Sequence, residues 1–317
     1  MPPHINAKTR ERRIVMIEHV AVVGAGTMGR GIVWALAQAG ITVTFKETSP
    51  EAAQRSMAQL EAELDHEIER WGLTKSEKTA FLSRVRPTSK VADLAGASML
   101  IEAIKEHFGQ KQAVFSSLDR RLPPEMIFIT NTSSLSITEL AQATNRPDKF
   151  VGMHFSMPVQ KRRLVEIVRG LKTSAETVAR VRELAGSMGK TAVEVFEYPG
   201  FVTTRIILPY LNEAMHVVME GVASTEDVDT AMKLAYDFPV GPLAMADKMG
   251  LDEVMLWMEQ LFHELGDLKY RPCPLLRKMV RAGRLGVKTG QGFFPYDADG
   301  SRIRSTALST TPEGKEI

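Results

Sequence analysis

Near its amino terminus the chain reads Gly24-Ala25-Gly26-Thr27-Met28-Gly29, a glycine pattern typical of one kind of fold. It follows an apolar run at residues 19–23 that is typical of a buried strand, and it opens a run with helical spacing at residues 27–39. In a dinucleotide-binding loop, the first glycine allows a tight turn, the second lets backbone approach a pyrophosphate, and the third lets helix pack on strand. The positive end of the helix dipole then faces the phosphates.

A glutamate follows the glycine loop at the spacing that is typical of a ribose-binding carboxylate. Glu47 comes at the end of the second predicted strand, roughly 20 residues after the glycines, where a carboxylate accepts both hydroxyls of an adenosine ribose. It would repel a 2′-phosphate, so the sequence favours NAD over NADP, although Lys46 and Arg30 are nearby cations that could soften the preference. The alternative interpretation is a structural glycine turn beside a solvated glutamate.

Strand and helix patterns alternate over residues 18–196, which predicts an α/β fold of the Rossmann type. Its sheet would be doubly wound and mostly parallel, with helices on both faces. Strands are expected at residues 19–23, 41–45, 99–104, 126–130, 150–155 and 164–168, and helices between them at residues 27–39, 110–121 and 136–143. Ser49-Pro50 and the capping box that starts at Thr74 predict a helical hairpin at about residues 50–84.

The strand signals stop after Pro199-Gly200, and helical spacing takes over. Helices are expected at residues 205–220, 224–234, 242–262 and 274–282. We therefore predict four segments along the chain: an amino-terminal arm at residues 1–17, a cofactor-binding domain at 18–199, an all-helical domain at 200–296 and a loose tail at 297–317. The tail is predicted from its polar composition without periodicity.

Composition and charge exclude several classes of protein. A length of 317 residues suits about two domains, and the formal charge of +2 gives no electrostatic footprint for nucleic acid. No apolar run approaches the length of a membrane span. The single cysteine, Cys273, excludes an intramolecular disulfide and fits a reducing compartment. We therefore expect a cytoplasmic protein that binds neither nucleic acid nor membranes.

Two of the later apolar runs each carry one ionisable residue. His154 lies within residues 150–155, and Glu166 lies within residues 164–168. An imidazole beside a buried carboxylate makes a proton acceptor that works near neutral pH. A lone histidine on a buried strand is more often a satisfied core group, but an unpaired buried carboxylate is costly. The two together favour a catalytic pair.

A polar turn follows the strand predicted at residues 126–130 and reads Asn131-Thr132-Ser133-Ser134. It therefore lies at the carboxyl edge of the sheet, where open parallel sheets bind ligands. The turn leads into a capping box that begins at Ser136. For Ser134 and Ser136 we prefer helix capping to a role in chemistry.

With these motifs in this order, the chain resembles the L-3-hydroxyacyl-CoA dehydrogenases, and among them the 3-hydroxybutyryl-CoA type. The resemblance covers residues 18–296. It rests on the glycine stretch quoted above and on Ile101-Glu102-Ala103-Ile104-Lys105-Glu106, Asn131-Thr132-Ser133-Ser134, Gly152-Met153-His154-Phe155, Leu164-Val165-Glu166, Pro199-Gly200-Phe201 and Lys288-Thr289-Gly290-Gln291-Gly292-Phe293-Phe294.

The resemblance implies how the pair would work. His154 would take the 3-hydroxyl proton of an (S)-3-hydroxyacyl-CoA as a hydride leaves for the nicotinamide of NAD. Glu166 would hold the other imidazole nitrogen and stabilise the imidazolium. Ser133 would hydrogen-bond the reacting oxygen and lie against the nicotinamide.

The resemblance implies further contacts outside this pair. Glu106, Lys111 and Lys288 would touch the cofactor, and Lys111 would also touch CoA. No metal ion is implied. The helical domain would form a homodimer, and the reaction would belong to fatty-acid metabolism.

Two positions depart from the family pattern near the chemistry. Met157 stands where the family usually has an asparagine that helps hold cofactor and substrate, and a thioether cannot donate a hydrogen bond. Thr204 stands where the family has an asparagine directed at the substrate oxygen, which leaves it a tentative site residue. These departures leave two alternatives open: a dehydrogenase of another 3-hydroxy acid, or a cofactor-binding protein with little activity.

Overall fold

A computed structural model describes residues 17–70 and 72–303 of the chain. Residues 1–16 of the predicted amino-terminal arm and residues 304–317 of the predicted tail lie outside the described residues. The chain divides into two compact units, Met1–Glu197 and Tyr198–Ile317. The division falls beside Pro199, where the sequence predicts the domain boundary.

The described part of the first unit is built on one eight-stranded sheet. Its strands are β1 (His19–Val23), β2 (Thr42–Lys46), β3 (Val85–Thr88), β4 (Met99–Glu102), β5 (Ile127–Thr130), β6 (Phe150–Phe155), β7 (Leu164–Arg169) and β8 (Thr191–Phe196). They lie in the order β3-β2-β1-β4-β5-β6-β7-β8. Of the described neighbours, β6 and β7 alone are antiparallel. The predicted doubly wound, mostly parallel sheet is confirmed.

The helices of the first unit cover the sheet. They are α1 (Thr27–Gln38), α2 (Pro50–Glu69), α3 (Lys75–Leu82), α4 (Phe108–Asp119), α5 (Ile137–Ala141) and α6 (Ala175–Ser187). The side chain of Ser49 caps α2, and Thr74 forms a capping box with Glu77 at the start of α3. The central strands are buried on both faces, as the adjacent residues Ala21 and Val22 on β1 show with no exposed surface.

The sequence analysis did not predict β3 and β8, because both are edge strands. Their outward side chains include Arg86, Glu194 and Phe196, which are exposed. β3 also contains Pro87, which is tolerated at a sheet edge because no further strand needs its missing N–H. An edge strand with polar outward residues lacks the continuous apolar run that marked the inner strands.

The second unit is helical, in agreement with the predicted fold class. Its helices are α7 (Thr203–Met219), α8 (Thr225–Tyr236), α9 (Pro242–Met249), α10 (Leu251–Leu265) and α11 (Pro274–Arg281). Leu211, Leu243 and Met258 lie in its core. The single helix predicted at residues 242–262 is wrong, because Gly250 takes a φ of 94° and breaks it into α9 and α10. None of the described helices is long and apolar enough to cross a membrane.

The first residues of the predicted tail, 297–303, make contacts within the second unit. The Asp297 N–H donates to the Ser301 carbonyl at 3.0 Å, and the Ile303 N–H donates to the Pro295 carbonyl at 3.0 Å. The Arg302 guanidinium lies 3.3 Å from the centre of the Phe294 ring. A turn and a cation–π contact order residues whose composition alone predicted a loose segment.

Candidate active site

The glycine stretch forms the turn between β1 and α1, and its three glycines serve three purposes. Gly24 has a φ of 89°, and a Cβ there would lie 2.9 Å from the Ala103 carbonyl oxygen. A Cβ on Gly29 would lie 1.9 Å from the Gly24 carbonyl oxygen, so only a glycine lets the helix pack this closely. A Cβ on Gly26, by contrast, would meet no described heavy atom within 4 Å.

That open space lies at the start of a helix without a side-chain cap. Gly26 is the N-cap of α1, and the first turn of this helix holds no acidic residue. The first backbone N–H groups of the helix and its dipole therefore meet no side-chain anion from that turn. The loop fits a dinucleotide pyrophosphate, which needs room beside the backbone, uncapped N–H donors and the positive end of a helix.

We expect Gly26→Ala to weaken NADH binding at least about tenfold while leaving folding intact. Its methyl group fills space that the protein itself leaves open, so stability should change by no more than about 0.5 kcal/mol. Titration calorimetry with NADH and a thermal melt measure the two effects separately. Unchanged NADH affinity would show that the pyrophosphate does not approach this glycine.

Glu47 follows β2 and turns its carboxylate toward the glycine loop. Oε1 accepts from the Ala25 N–H at 2.5 Å, and Oε2 accepts from the Thr48 N–H at 3.3 Å. Arg30 pairs with Glu63 on α2 at 2.9 Å and also donates to the Ala25 carbonyl at 3.4 Å. The Lys46 ammonium donates to the Glu47 carbonyl at 3.1 Å, so both cations lie close to the glycine loop.

His154 and Glu166 face each other across the antiparallel strands β6 and β7, where they are direct partners in the register. His154 Nδ1 lies 2.7 Å from Oε2 of Glu166. Their side chains are 13% and 2% exposed, so water screens the contact little. Since a carboxylate only accepts, it fixes the proton of a neutral imidazole on Nδ1. The arrangement can accept a proton on the other ring nitrogen and stabilise the resulting imidazolium.

Residues 131–134, here called the β5 loop, are held by the Glu106 carboxylate. Its Oε1 accepts from the Ser133 N–H at 3.0 Å and from the Ser134 N–H at 3.3 Å. The Thr132 hydroxyl also donates to this oxygen. Ser133 is half-buried, and its Oγ lies 3.4 Å from the same oxygen. Glu106 therefore shapes the loop that carries Ser133, whether or not it also meets a cofactor.

Of the two serines expected to cap a helix, only one does so in the described structure. The Ser136 side chain accepts from the Glu139 N–H at 3.1 Å at the start of α5. Ser134 instead directs its hydroxyl to Glu106, 3.3 Å away. The reason is its position inside the β5 loop, two residues before the N-cap.

Lys111 is expected to touch NAD and CoA, but the structure encloses it completely. Its side chain has no exposed surface, and its Nζ lies 2.7 Å from Oε1 of Glu102, 2.9 Å from the Asn131 carbonyl oxygen and 3.4 Å from Oε2 of Glu106. Any ligand contact would have to replace one of these bonds. On α4, Lys111 shares the buried face with Phe115, a spacing of four residues that could have revealed its position.

Two residues, Asn131 and Glu102, were given no role from the sequence, although both belong to quoted motifs. The structure places them beside the predicted site residues. The Asn131 side chain accepts from the Phe155 N–H at 3.3 Å, which ties the β5 loop to the residue after His154. Glu102, fully buried at the end of β4, accepts from the Thr130 hydroxyl at 2.6 Å. Burial raises the pKa of Glu102, and the Lys111 ammonium opposes that rise.

The remaining predicted site residues belong to other segments of the chain. Met157 follows β6 with its side chain 47% exposed. Thr204 lies in the first turn of α7, in the second unit. Lys288 also belongs to the second unit, where its Nζ lies 2.6 Å from a carboxylate oxygen of Asp252.

The segment that presents Lys288 is held by a buried carboxylate. Asp247 accepts from the Phe293 N–H at 2.9 Å and from the Phe294 N–H at 3.0 Å. A Cβ on Gly292 would lie 2.0 Å from the same carboxylate, which explains the glycine in this motif. Burial raises the pKa of Asp247.

The glycine loop, the β5 loop and the His154–Glu166 pair all lie at the carboxyl edge of one sheet. A dinucleotide cradle beside a positioned base defines a nicotinamide-dependent dehydrogenase. The family model described as the NAD binding domain of 3-hydroxyacyl-CoA dehydrogenase matches residues 19–198, and the model of the C-terminal domain matches residues 200–296. The chain belongs to the 3-hydroxyacyl-CoA dehydrogenase family.

Individual relatives agree along nearly the whole chain. A probable 3-hydroxybutyryl-CoA dehydrogenase of Bacillus subtilis is 47% identical over 281 residues, covering 89% of this chain and 98% of the relative. The 3-hydroxybutyryl-CoA dehydrogenase of Clostridioides difficile is 45% identical over 278 residues, covering 88% and 99%. The crystal structure of (S)-3-hydroxybutyryl-CoA dehydrogenase from Ralstonia eutropha is 43% identical, covers 89% of this chain and 100% of its own, and has a TM-score of 0.84.

The family membership confirms the resemblance stated from the sequence, and with it the cofactor class. The protein is an oxidoreductase that acts on a CH–OH group with NAD.

Proposed function

We propose that the protein oxidises (S)-3-hydroxyacyl-CoA to 3-oxoacyl-CoA with NAD, on a short acyl chain such as 3-hydroxybutyryl. The observation that carries this proposal is the 2.7 Å contact between His154 Nδ1 and the Glu166 carboxylate. The names of the relatives from Bacillus subtilis and Clostridioides difficile support the substrate.

In this proposal the residues of the chain handle the proton. Glu166 keeps the Nδ1 proton of His154 in place, so the lone pair of Nε2 takes the proton of the 3-hydroxyl group. The carboxylate then stabilises the imidazolium. Ser133 donates its hydroxyl hydrogen to the reacting oxygen. NAD, when bound, would supply the acceptor for the hydride that leaves the substrate carbon.

The cofactor is held chiefly by the first unit in this proposal. The backbone N–H groups of Thr27 and Met28 would face the pyrophosphate, and the Ala25 N–H holds the Glu47 carboxylate, which would accept from the adenosine ribose. Glu106 acts on the nicotinamide side through the β5 loop. Lys288 remains a cofactor contact that the family resemblance implies.

One assay tests the reaction and the cofactor together. NADH oxidation is followed with acetoacetyl-CoA, and NADH binding is measured in parallel by titration calorimetry. Turnover supports the proposed reaction. Binding of NADH without turnover would favour another 3-hydroxy acid as substrate, or a cofactor-binding protein with little activity.

The second candidate function, a different 3-hydroxy acid, is favoured by Met157. Its half-exposed thioether presents apolar surface where the family usually has an amide. An acyl group that offers no hydrogen-bonding atom at this position would fit the methionine better than it would fit an asparagine. Turnover of such an acid, faster than that of acetoacetyl-CoA, is the measurement that would favour it.

We expect the double change Met157→Asn and Thr204→Asn to raise kcat/KM for acetoacetyl-CoA. A regained hydrogen bond is worth about 1–3 kcal/mol, or roughly 5- to 150-fold in rate. Steady-state kinetics of both single variants and the double variant measure the gain. A lower kcat/KM in the double variant would instead show that these residues suit the natural substrate.

We also propose a cytoplasmic homodimer that forms through the helical unit and serves fatty-acid metabolism. The exposed apolar residues of that unit, among them Ile206, Leu234 and Tyr236, support the dimer, because exposed apolar side chains concentrate at interfaces. The single, buried Cys273 is compatible with a reducing compartment. Light scattering after size exclusion tests the dimer, which should have twice the mass of the chain.

A further inference from the structure

A buried ion pair lies directly beneath the loops of the candidate active site. Glu102 ends β4 and Lys111 lies in the first turns of α4, and neither side chain has exposed surface. Their charged atoms are 2.7 Å apart. Buried ion pairs seldom add net stability, because desolvation offsets their attraction. Net stability therefore does not explain why this ion pair is present.

Lys111 contacts the β5 loop directly and also contacts Glu106, the residue whose carboxylate binds that loop. Its ammonium donates to the Asn131 carbonyl at 2.9 Å and lies 3.4 Å from Oε2 of Glu106. Glu106 in turn binds the N–H groups of Ser133 and Ser134 through its other oxygen. The ammonium thus holds the loop once through its backbone and once through the carboxylate that shapes it.

Glu102 fixes Lys111 and joins it to the strands. Its Oε1 also accepts from the Ile104 N–H at 2.7 Å, and its Oε2 accepts from Thr130 at the end of β5. Beyond the loop, the Asn131 side chain accepts from the Phe155 N–H, next to His154. A continuous set of hydrogen bonds therefore runs from Glu102 to the loop of Ser133 and to the strand of the base.

We propose that Glu102 and Lys111 are positioning residues that hold the β5 loop and the end of β6 in the geometry the reaction needs. This inference rests on the proposed function for its kinetic readout alone. Neither residue touches the reacting atoms. Lys111 acts through Asn131 and Glu106, and Glu102 acts through Lys111.

A second buried pair in the same unit provides a matched control. Arg146 Nε lies 2.6 Å from Oδ1 of Asp119, with side chains 6% and 4% exposed. Arg146 also donates to the carbonyl groups of Asp119 and Leu122. It precedes β6 and therefore lies at the amino edge of the sheet, opposite the candidate site. Loss of this pair changes stability without reaching the β5 loop.

The test compares Lys111→Met, Glu102→Gln, the double variant and the control Asp119→Asn. We expect kcat with acetoacetyl-CoA to fall about 10- to 100-fold in the three site variants, the effect of a small misplacement of reacting groups. In the cofactor-free protein, the N–H groups of residues 133–135 should exchange hydrogen faster. Asp119→Asn should leave both quantities unchanged at a similar loss of thermal stability.

The double variant separates positioning from stability. Replacing both charges by neutral groups of similar shape should recover part of the lost melting temperature, because Lys111 and Glu102 no longer leave each other unpaired, while the bonds of Lys111 to Asn131 and Glu106 stay lost. We expect kcat to stay low and the exchange to stay fast. If both return to wild-type values along with stability, or if Asp119→Asn lowers kcat equally, the pair is only structural. Where the single variants fail to fold, Thr130→Val, which removes one bond to Glu102, provides the same comparison.

The two proposals fail in different ways. If the wild-type protein does not turn over acetoacetyl-CoA, the proposed function fails, while hydrogen exchange at residues 133–135 still decides the positioning role. If the wild-type protein turns over the substrate and the exchange does not change in any site variant, the positioning role alone is wrong.

Discussion

His154→Gln is expected to lower kcat for acetoacetyl-CoA by about 10³-fold and to leave the dissociation constant of NADH unchanged. Glutamine can still donate to the Glu166 carboxylate, but it cannot carry the transferred proton. General acid–base catalysis contributes about 10²- to 10⁴-fold, and this variant removes it. Steady-state kinetics measure kcat, and titration calorimetry measures NADH binding.

His19→Gln is the matched control for this variant. His19 lies at the start of β1 in the same sheet, and its Nε2 lies 2.9 Å from the Thr44 hydroxyl. His19 lies at the amino edge of the sheet, opposite the candidate site. We expect its kcat to stay within about threefold of wild type, because His19 lies away from the candidate site. Its stability should also change little. Retained turnover in His154→Gln would exclude this histidine as the base.

Gly29→Ala is expected to destabilise the first unit by about 3 kcal/mol and to reduce NADH affinity by about two orders of magnitude. The added Cβ would lie 1.9 Å from the Gly24 carbonyl oxygen. The oxygen belongs to the backbone and a Cβ cannot rotate away from it, so α1 must move away from the glycine loop. The cradle for the pyrophosphate then opens. Thermal melts should show a lower midpoint, and calorimetry the weaker binding.

Gly186→Ala shows whether the effect belongs to the position or to the residue type. Gly186 lies inside α6, and a Cβ there would meet no described heavy atom within 4 Å. Alanine is the better helix former by about 0.5–1 kcal/mol, so this change should raise stability slightly. A Gly29→Ala protein as stable as wild type would contradict the close packing of α1 on β1.

The contact between His154 and Glu166 could be predicted because burial makes ionisable residues conspicuous. His154 and Glu166 each stand alone among apolar neighbours in a strand, and a charge in that setting needs a partner. The direction of β7 could also have been predicted. Residues 156–163 are too few for the crossover that parallel strands need, which takes a dozen or more residues.

Other features depend on contacts between distant parts of the chain and left weaker signals. Lys111 has the composition of a surface residue, and it is buried only because Glu102 and the Asn131 carbonyl approach it from separate strands. The apolar spacing continues across Gly250, but the φ of 94° at this residue ends the helix. Contacts in the folded unit select that angle, so the local pattern does not reveal it. Arg302 orders the start of the tail through the Phe294 ring, which no local pattern predicts.

The reversal of direction between β6 and β7 has a consequence for how the enzyme can change. The base and its partner are only 12 positions apart in sequence, and the pairing of neighbouring strands sets their contact. Residues 150–169 therefore hold the proposed base and its partner in one hairpin. We expect that exchanging this hairpin for that of a homologue would transfer both residues together.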